Sequence, residues 1–199
     1  MNRPTFFRAV ALAAAATALS STLAACSDNA NDADNGSEPS ANYNDADVEF
    51  VQQMIPHHQQ ATEMAAMAEG RSQSTEVLDL AEQIEAAQGP EIEVMTGLLE
   101  EWDVEADGAE MDHTDMGHGS SGGMEGMMSD EEMDALDQSS GPEFDQMFLT
   151  MMIEHHQGAV EMAEDEQANG QNDDALELAG QIATSQTAEI DVMRALLAQ

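Results

Sequence analysis

The chain contains no lysine, and its four arginines stand at positions 3, 8, 71 and 194. Against them are 41 aspartates and glutamates, for a formal charge of −37. A surface of that sign repels nucleic acid and anionic headgroups and attracts cations. Two explanations of the charge compete: adaptation to a saline environment, and a cation-handling role. Cysteine is nearly absent too. With a single one, Cys26, the chain has no internal disulfide and no Cys-x-x-Cys zinc chelate. Also missing are a His-Glu-x-x-His zinc motif, a Gly-x-Ser-x-Gly elbow and a phosphate-binding glycine loop. Nothing alternates with period two, so no sheet is expected.

What hydrophobic run there is lies at the start. Arg3 and Arg8 precede an Ala-rich apolar stretch from Ala9 to Leu19, then Leu23-Ala24-Ala25-Cys26. That order reads as a signal peptide (1–26) ending in a lipobox, with Cys26 lipidated as the new first residue. The alternative is an ordinary signal peptide cleaved near Ala25. Acylation of Cys26 would leave no thiol for metal or catalysis. It would also place the protein on the extracytoplasmic face, touching the membrane only through its anchor. Processing leaves Arg71 and Arg194 against all 41 acidic residues, a charge of −39. Residues 27–44 are rich in Asn, Asp, Ser, Gly and Pro and read as a flexible acidic tether.

The rest of the chain, 45–199, matches itself at an offset of 98 residues. Met54-Ile55 aligns with Met152-Ile153, and His57-His58-Gln59 with His155-His156-Gln157. Ala61, Glu63 and Met64 align with Ala159, Glu161 and Met162; further on, Gln88 and Glu91 align with Gln186 and Glu189. This reads as a duplication, with one repeat at 45–102, a linker at 103–141 and a second repeat at 142–199. Apolar spacings of three and four make each repeat two helices: about 45–69 and 74–102, then 142–168 and 173–198. Gly70 and Gly170 mark the turns. Ser129-Asp130-Glu131-Glu132 predicts a capping box opening a short helix. Pro56 should kink the first helix and free the carbonyl of Gln52. The expected fold is all-α: a four-helix bundle of two hairpins, with a linker long enough to cross over.

The histidines carry the functional signal. With about 100° per residue and Met54 at 0°, His57 falls near −60°, His58 near 40°, Ala61 near −20° and Met64 near −80°. Two imidazoles and two thioethers thus share one helix face, separated by small alanines. Met152, His155, His156, Ala159 and Met162 repeat the pattern. Imidazole nitrogen with thioether sulfur suits soft or borderline ions such as copper or silver. If the motif helices face each other about a pseudo-twofold axis, four histidines approach one site. Neighbouring residues differ by 100°, so the members of a pair cannot both point at the core. The competing reading makes these Met and His core filler, hydrogen-bonded within the bundle or at a dimer interface.

The linker adds Met111, His113, Met116, His118, Met124, Met127 and Met128 among Gly, Ser and Asp. With no helix face to fill, they suggest a loose soft-metal segment; compositional drift is the alternative. A di-iron bundle would need Glu-x-x-His on its helices, and the one instance, Glu110 to His113, lies in the linker.

Met-Ile-x-His-His-Gln-x-Ala-x-x-Met at 54–64 and 152–162 resembles the hallmark of a bacterial secreted family, the domain of unknown function 305. So does the run from Gly126 to Met133. The resemblance spans about 45–199. It implies a ferritin-like four-helix bundle and, for some members, copper handling outside the cytoplasm. The site it implies is His57, His58, His155 and His156, with Met54, Met64, Met152 and Met162 nearby. Our reading is a non-enzymatic, lipid-anchored metal-binding protein, with copper the expected ion and sequestration, delivery or tolerance the expected role. The alternative is a non-catalytic structural or interaction module. A ferritin-like oxidase fits least, because its Glu/His ligand pattern is missing.

Overall fold

The structure is a computed structural model that describes residues 42–106 and 125–199. The expected signal peptide, Cys26, most of the tether, and the linker residues Met111, His113, Met116, His118 and Met124 lie outside the described residues. Among the described residues there are helices and no strands: α1 (Asp45–Ala66), α2 (Thr75–Trp102), α3 (Asp130–Gln138), α4 (Pro142–Asn169) and α5 (Asp173–Leu197). None of them is long and apolar enough to cross a membrane.

Side-chain caps set the helix starts. Asn44 accepts from the backbone N–H groups of Ala46 and Asp47, and Asp47 answers from N3, a capping box. At α2 and α5 the side chains of Ser74 and Asn172 accept from the N–H groups of Val77 and Ala175, and Ser129 with Glu132 forms the expected box at α3. Each cap satisfies donors that a helix start leaves open. α1 runs through Pro56 and α2 through Pro90. Residues 42–44, expected to be loose tether, are tied down. Tyr43 stacks on Trp102 at 4.7 Å and donates its hydroxyl to the Trp102 carbonyl.

α1 packs along α2, α4 along α5, and α1 meets α4. The core divides into two apolar clusters. One holds Ala61, Met64 and Ala65 of α1, Val77 to Ile84 of α2, Phe144 to Met152 of α4, and Ile190 and Met193 of α5. The other holds Phe50, Val51 and Met54, then Met95 to Trp102, then Ala159 and Ala163, then Ala175 to Ile182. The early half of α1 thus shares a cluster with the late half of α4, so the two helices run antiparallel. Every long helix changes cluster midway, and polar residues occupy each changeover. These are His57 and His58 on α1, Gln88 and Glu91 on α2, His155 and His156 on α4, and Gln186 and Glu189 on α5. Here a polar layer lies between two apolar half-cores.

Candidate metal centre

All four motif histidines are fully buried. Their division of labour follows the 100° between helical neighbours. His57 and His155 turn toward each other across the α1–α4 contact, with ring centroids 3.7 Å apart and planes tilted by 40°. His58 and His156 turn toward the second helix of their own hairpin. His58 Nε2 donates to Glu91 Oε2 at 2.8 Å, and His156 Nε2 donates to Glu189 Oε2 at 2.7 Å. A carboxylate only accepts, so these bonds put a proton on Nε2, and in the neutral ring the lone pair is then on Nδ1. His57 Nε2 likewise donates to the Glu125 carbonyl at 3.2 Å.

The remaining nitrogens are unsatisfied. His57 Nδ1, His58 Nδ1, His156 Nδ1 and both nitrogens of His155 are buried with no hydrogen bond of ordinary geometry. Burial holds the His57 imidazolium down to about 3, helped by the proximity of His58 and His156. Burial, and then the neighbouring His57, His156 and His58, push His155 well below its ordinary value. At neutral pH both rings are therefore neutral with a free lone pair, the state in which imidazole binds metals.

Met54, Met64 and Met152 are fully buried, and Met162 is partly so. Met54 and Met162 belong to one half-core, Met64 and Met152 to the other. The thioethers thus flank the histidine layer on both sides. Among the described residues no three His, Cys, Asp or Glu side chains converge to enclose an ion. The buried donors of the layer are two facing imidazoles, two further imidazoles held by carboxylates, and neutral thioethers and amides.

A short strap, Glu125–Met128, covers this layer. Gln60 grips it with both ends of its amide, donating to the Met128 carbonyl at 2.8 Å and accepting from the Met128 N–H at 2.7 Å. Opposite Gln60, the position 98 residues on is Gly158. A side chain there would collide with the Glu125 carbonyl, while Gly126, at φ +80°, sits against the Glu154 and His155 carbonyls. The first motif helix therefore holds the strap and the second makes room for it. Outside it opens a cleft of 360 Å³ lined by Glu125, Glu132, Glu154, Glu161 and Met127, among others. Glu161 is raised above its usual value by its hydrogen bond with Glu125 and by that residue's charge.

One expectation for the linker methionines fails here. Met128 does have a core to join: it is 8% exposed and packs with Met64, Leu136 and Met151. Periodicity could not show this, because the strap is irregular and its packing is tertiary. Glu91, Glu189, Gln88 and Gln186 were not among the sequence-derived site residues. The signal was present, since all four recur at the 98-residue offset although polar.

The fold and motifs have close counterparts. A DUF305 protein from Streptomyces coelicolor, named as secreted, is 35% identical, with a TM-score of 0.68, over 77% of this chain and 92% of its own. A DUF305 fragment from Deinococcus radiodurans is 32% identical, with a TM-score of 0.67, over 78% and 97%. CopM in its Cu(II)-bound form is 34% identical, with a TM-score of 0.63, over 76% and 95%; CopM is also known in Cu(I)-bound and Ag-bound forms. Among proteins with curated functions, none matches by sequence. The profile of the domain of unknown function DUF305 matches residues 47–197, and the chain belongs to that family.

Proposed function

We propose that this protein binds copper outside the cytoplasm without catalysing a reaction, and that it acts in sequestration, delivery or tolerance. The carrying observation is the pair of close, neutral, buried imidazoles, His57 and His155, whose free nitrogens lie between two methionine-bearing half-cores. Unpartnered buried nitrogens are costly unless a ligand or water satisfies them. Soft imidazole and thioether donors match Cu(I), and imidazole also takes Cu(II). CopM, similar over most of both chains, binds both copper states and silver. In this reading the long helices form a ferritin-like four-helix bundle that arose by duplication, with the pseudo-twofold axis through the His57–His155 contact. Cys26 carries the lipid anchor, and His113, Met116 and His118 in the linker act as a collecting segment.

The test is a Cu(I) titration of the processed protein in high salt against a competing chelator. High salt suppresses weak binding to the acidic surface. His57→Ala with His155→Ala should weaken Cu(I) binding by at least about tenfold while helicity is kept. Unchanged affinity would rule the helical site out. Deleting residues 109–124 should leave tight binding in place if the helices carry the site, and abolish it if the linker does.

The His58–Glu91 and His156–Glu189 bonds favour a second reading, in which the histidines knit the core of an interaction module. That reading predicts no stoichiometric copper in any variant, and loss of stability when the pairs are changed.

A further inference from the structure

Beyond the histidines, two side chains stand out among the buried polar groups. Gln88 and Gln186 are each 2% exposed. Neither the oxygen nor the nitrogen of either amide has a hydrogen bond. A primary amide carries two donors and an oxygen with two lone pairs. A protein interior rarely leaves such a group unserved, because an apolar side chain of similar size fits without that penalty. Here the orphaned amide occurs twice, 98 residues apart, so it is not a local accident.

Their placement indicates what they serve. Gln88 lies three residues before Glu91, one turn away on the same side of α2, and Glu91 holds His58. Gln186 stands in the same relation to Glu189 and His156. α1 and α2 run antiparallel, since the end of α1 shares a half-core with the start of α2. One turn back along α2 from Glu91 therefore matches one turn forward along α1 from His58, the level of Ala61. Ala61 and its counterpart Ala159 are fully buried and small. The two amides thus border the histidine layer, Gln88 one turn toward one half-core and Gln186 one turn toward the other. Among the described residues the layer brings no three His, Cys, Asp or Glu side chains together; the bordering amides are its neutral oxygen-bearing side chains.

We propose that Gln88 and Gln186 belong to the metal site as oxygen donors, and that they let the layer hold Cu(II) as well as Cu(I). The inference rests on the copper reading above. Cu(I) is satisfied by imidazole and thioether, whereas Cu(II) favours nitrogen and oxygen in a tetragonal set. Free imidazole nitrogens supply the first, and neutral amide oxygens supply the second without burying another charge. Glu91 and Glu189 act as positioning residues: by accepting from Nε2 they aim Nδ1 of His58 and His156 inward, as carboxylates do behind metal-bound imidazoles.

The experiment compares the processed protein with Gln88→Met/Gln186→Met and with Gln88→Glu/Gln186→Glu. Methionine keeps the volume and removes the oxygen; glutamate keeps the oxygen. Each protein is loaded with Cu(II) for electron paramagnetic resonance, and both copper states are titrated against competing chelators. The methionine pair is expected to weaken Cu(II) about tenfold or more, to shift its g and hyperfine values, and to leave Cu(I) within about threefold or tighter. The glutamate pair is expected to retain Cu(II) binding. Melting of the metal-free methionine pair should be at or above wild type, since it removes orphaned amides. An unchanged Cu(II) spectrum and affinity in the methionine pair would overturn the proposal. So would an equal loss of Cu(I) and Cu(II), which marks a merely structural role. If the methionine pair does not fold, loss of Cu(II) from the folded glutamate pair overturns it instead. Failure of the copper reading looks different: the wild-type protein would then compete for neither ion, and both proposals fall together.

Discussion

At the scale of single residues, two buried acid–base systems pull the protein's stability in opposite directions with pH. Asp47 is fully buried and accepts backbone N–H bonds from Asn172, Asn44 and Gln171. Burial alone would raise it, yet these bonds hold it below its usual value. Beside it, Glu166 is pushed up to about 8, by burial first and then by the Asp47 carboxyl. Folding therefore favours protonated Glu166. Its contribution is fully present below the unfolded value near 4.5 and is lost as pH rises toward 8. Glu166→Gln should match wild type near pH 5 and exceed it by about 1–2 kcal/mol near pH 9. Urea midpoints at the two values check this, and a variant weaker at both would sink it. His57 and His155 have the reverse sign. Their folded values are depressed, so their contribution is present above about 6.5 and is lost as pH falls toward 3. Replacing both with leucine should flatten the acid limb of the stability curve in that window.

Helical spacing makes the motif legible in the sequence only in part. It shows that neighbouring histidines diverge, but not that His57 would face its counterpart while His58 turned to a carboxylate 33 residues on. That partner lies on another helix, and no local pattern encodes it.

At the scale of elements, boundaries were legible to within a few residues, because caps and turn glycines are local chemistry. The short helix at 130–138 followed from its capping box alone. The strap did not, and it breaks the equivalence of the two motif helices. Gln60 on α1 makes two hydrogen bonds to it, while α4 offers bare backbone at Gly158. Gln60→Ala should cost about 1–2 kcal/mol and strip the Met128 amide of hydrogen-exchange protection. Gly158→Ala should cost about 1–3 kcal/mol, since its methyl meets backbone that cannot step aside without moving the strap. Because His57 Nε2 bonds the strap, both changes should also quicken copper uptake in stopped-flow mixing. Met128 protection unaltered in Gln60→Ala would mean that the amide does not hold the strap.

At the scale of the whole molecule, the charge and the buried layer act separately. The chain after residue 26 carries −39, and its two arginines are committed: Arg71 pairs with Asp137, and exposed Arg194 lies 3.8 Å from Asp191. Repulsion among the other carboxylates is thus largely unopposed and weakens the compact state. It acts through solvent over about 30 Å at 0.01 M salt and about 3 Å at 1 M. The histidine layer sits between apolar half-cores, where screening reaches it little. Adding salt should therefore raise the melting temperature steadily, by roughly 2–4 °C for each 1 kcal/mol of repulsion relieved. It should also slow copper association, because the acidic surface no longer gathers cations. The Cu(I) dissociation rate should stay within about twofold over the same range, since the bonds that hold the ion are inside. Melting curves and stopped-flow traces at 0.01, 0.1 and 1 M salt separate these effects. A dissociation rate that climbs with salt in step with the fall in association would place the bound ion on the carboxylate surface, and would make the buried imidazoles structural.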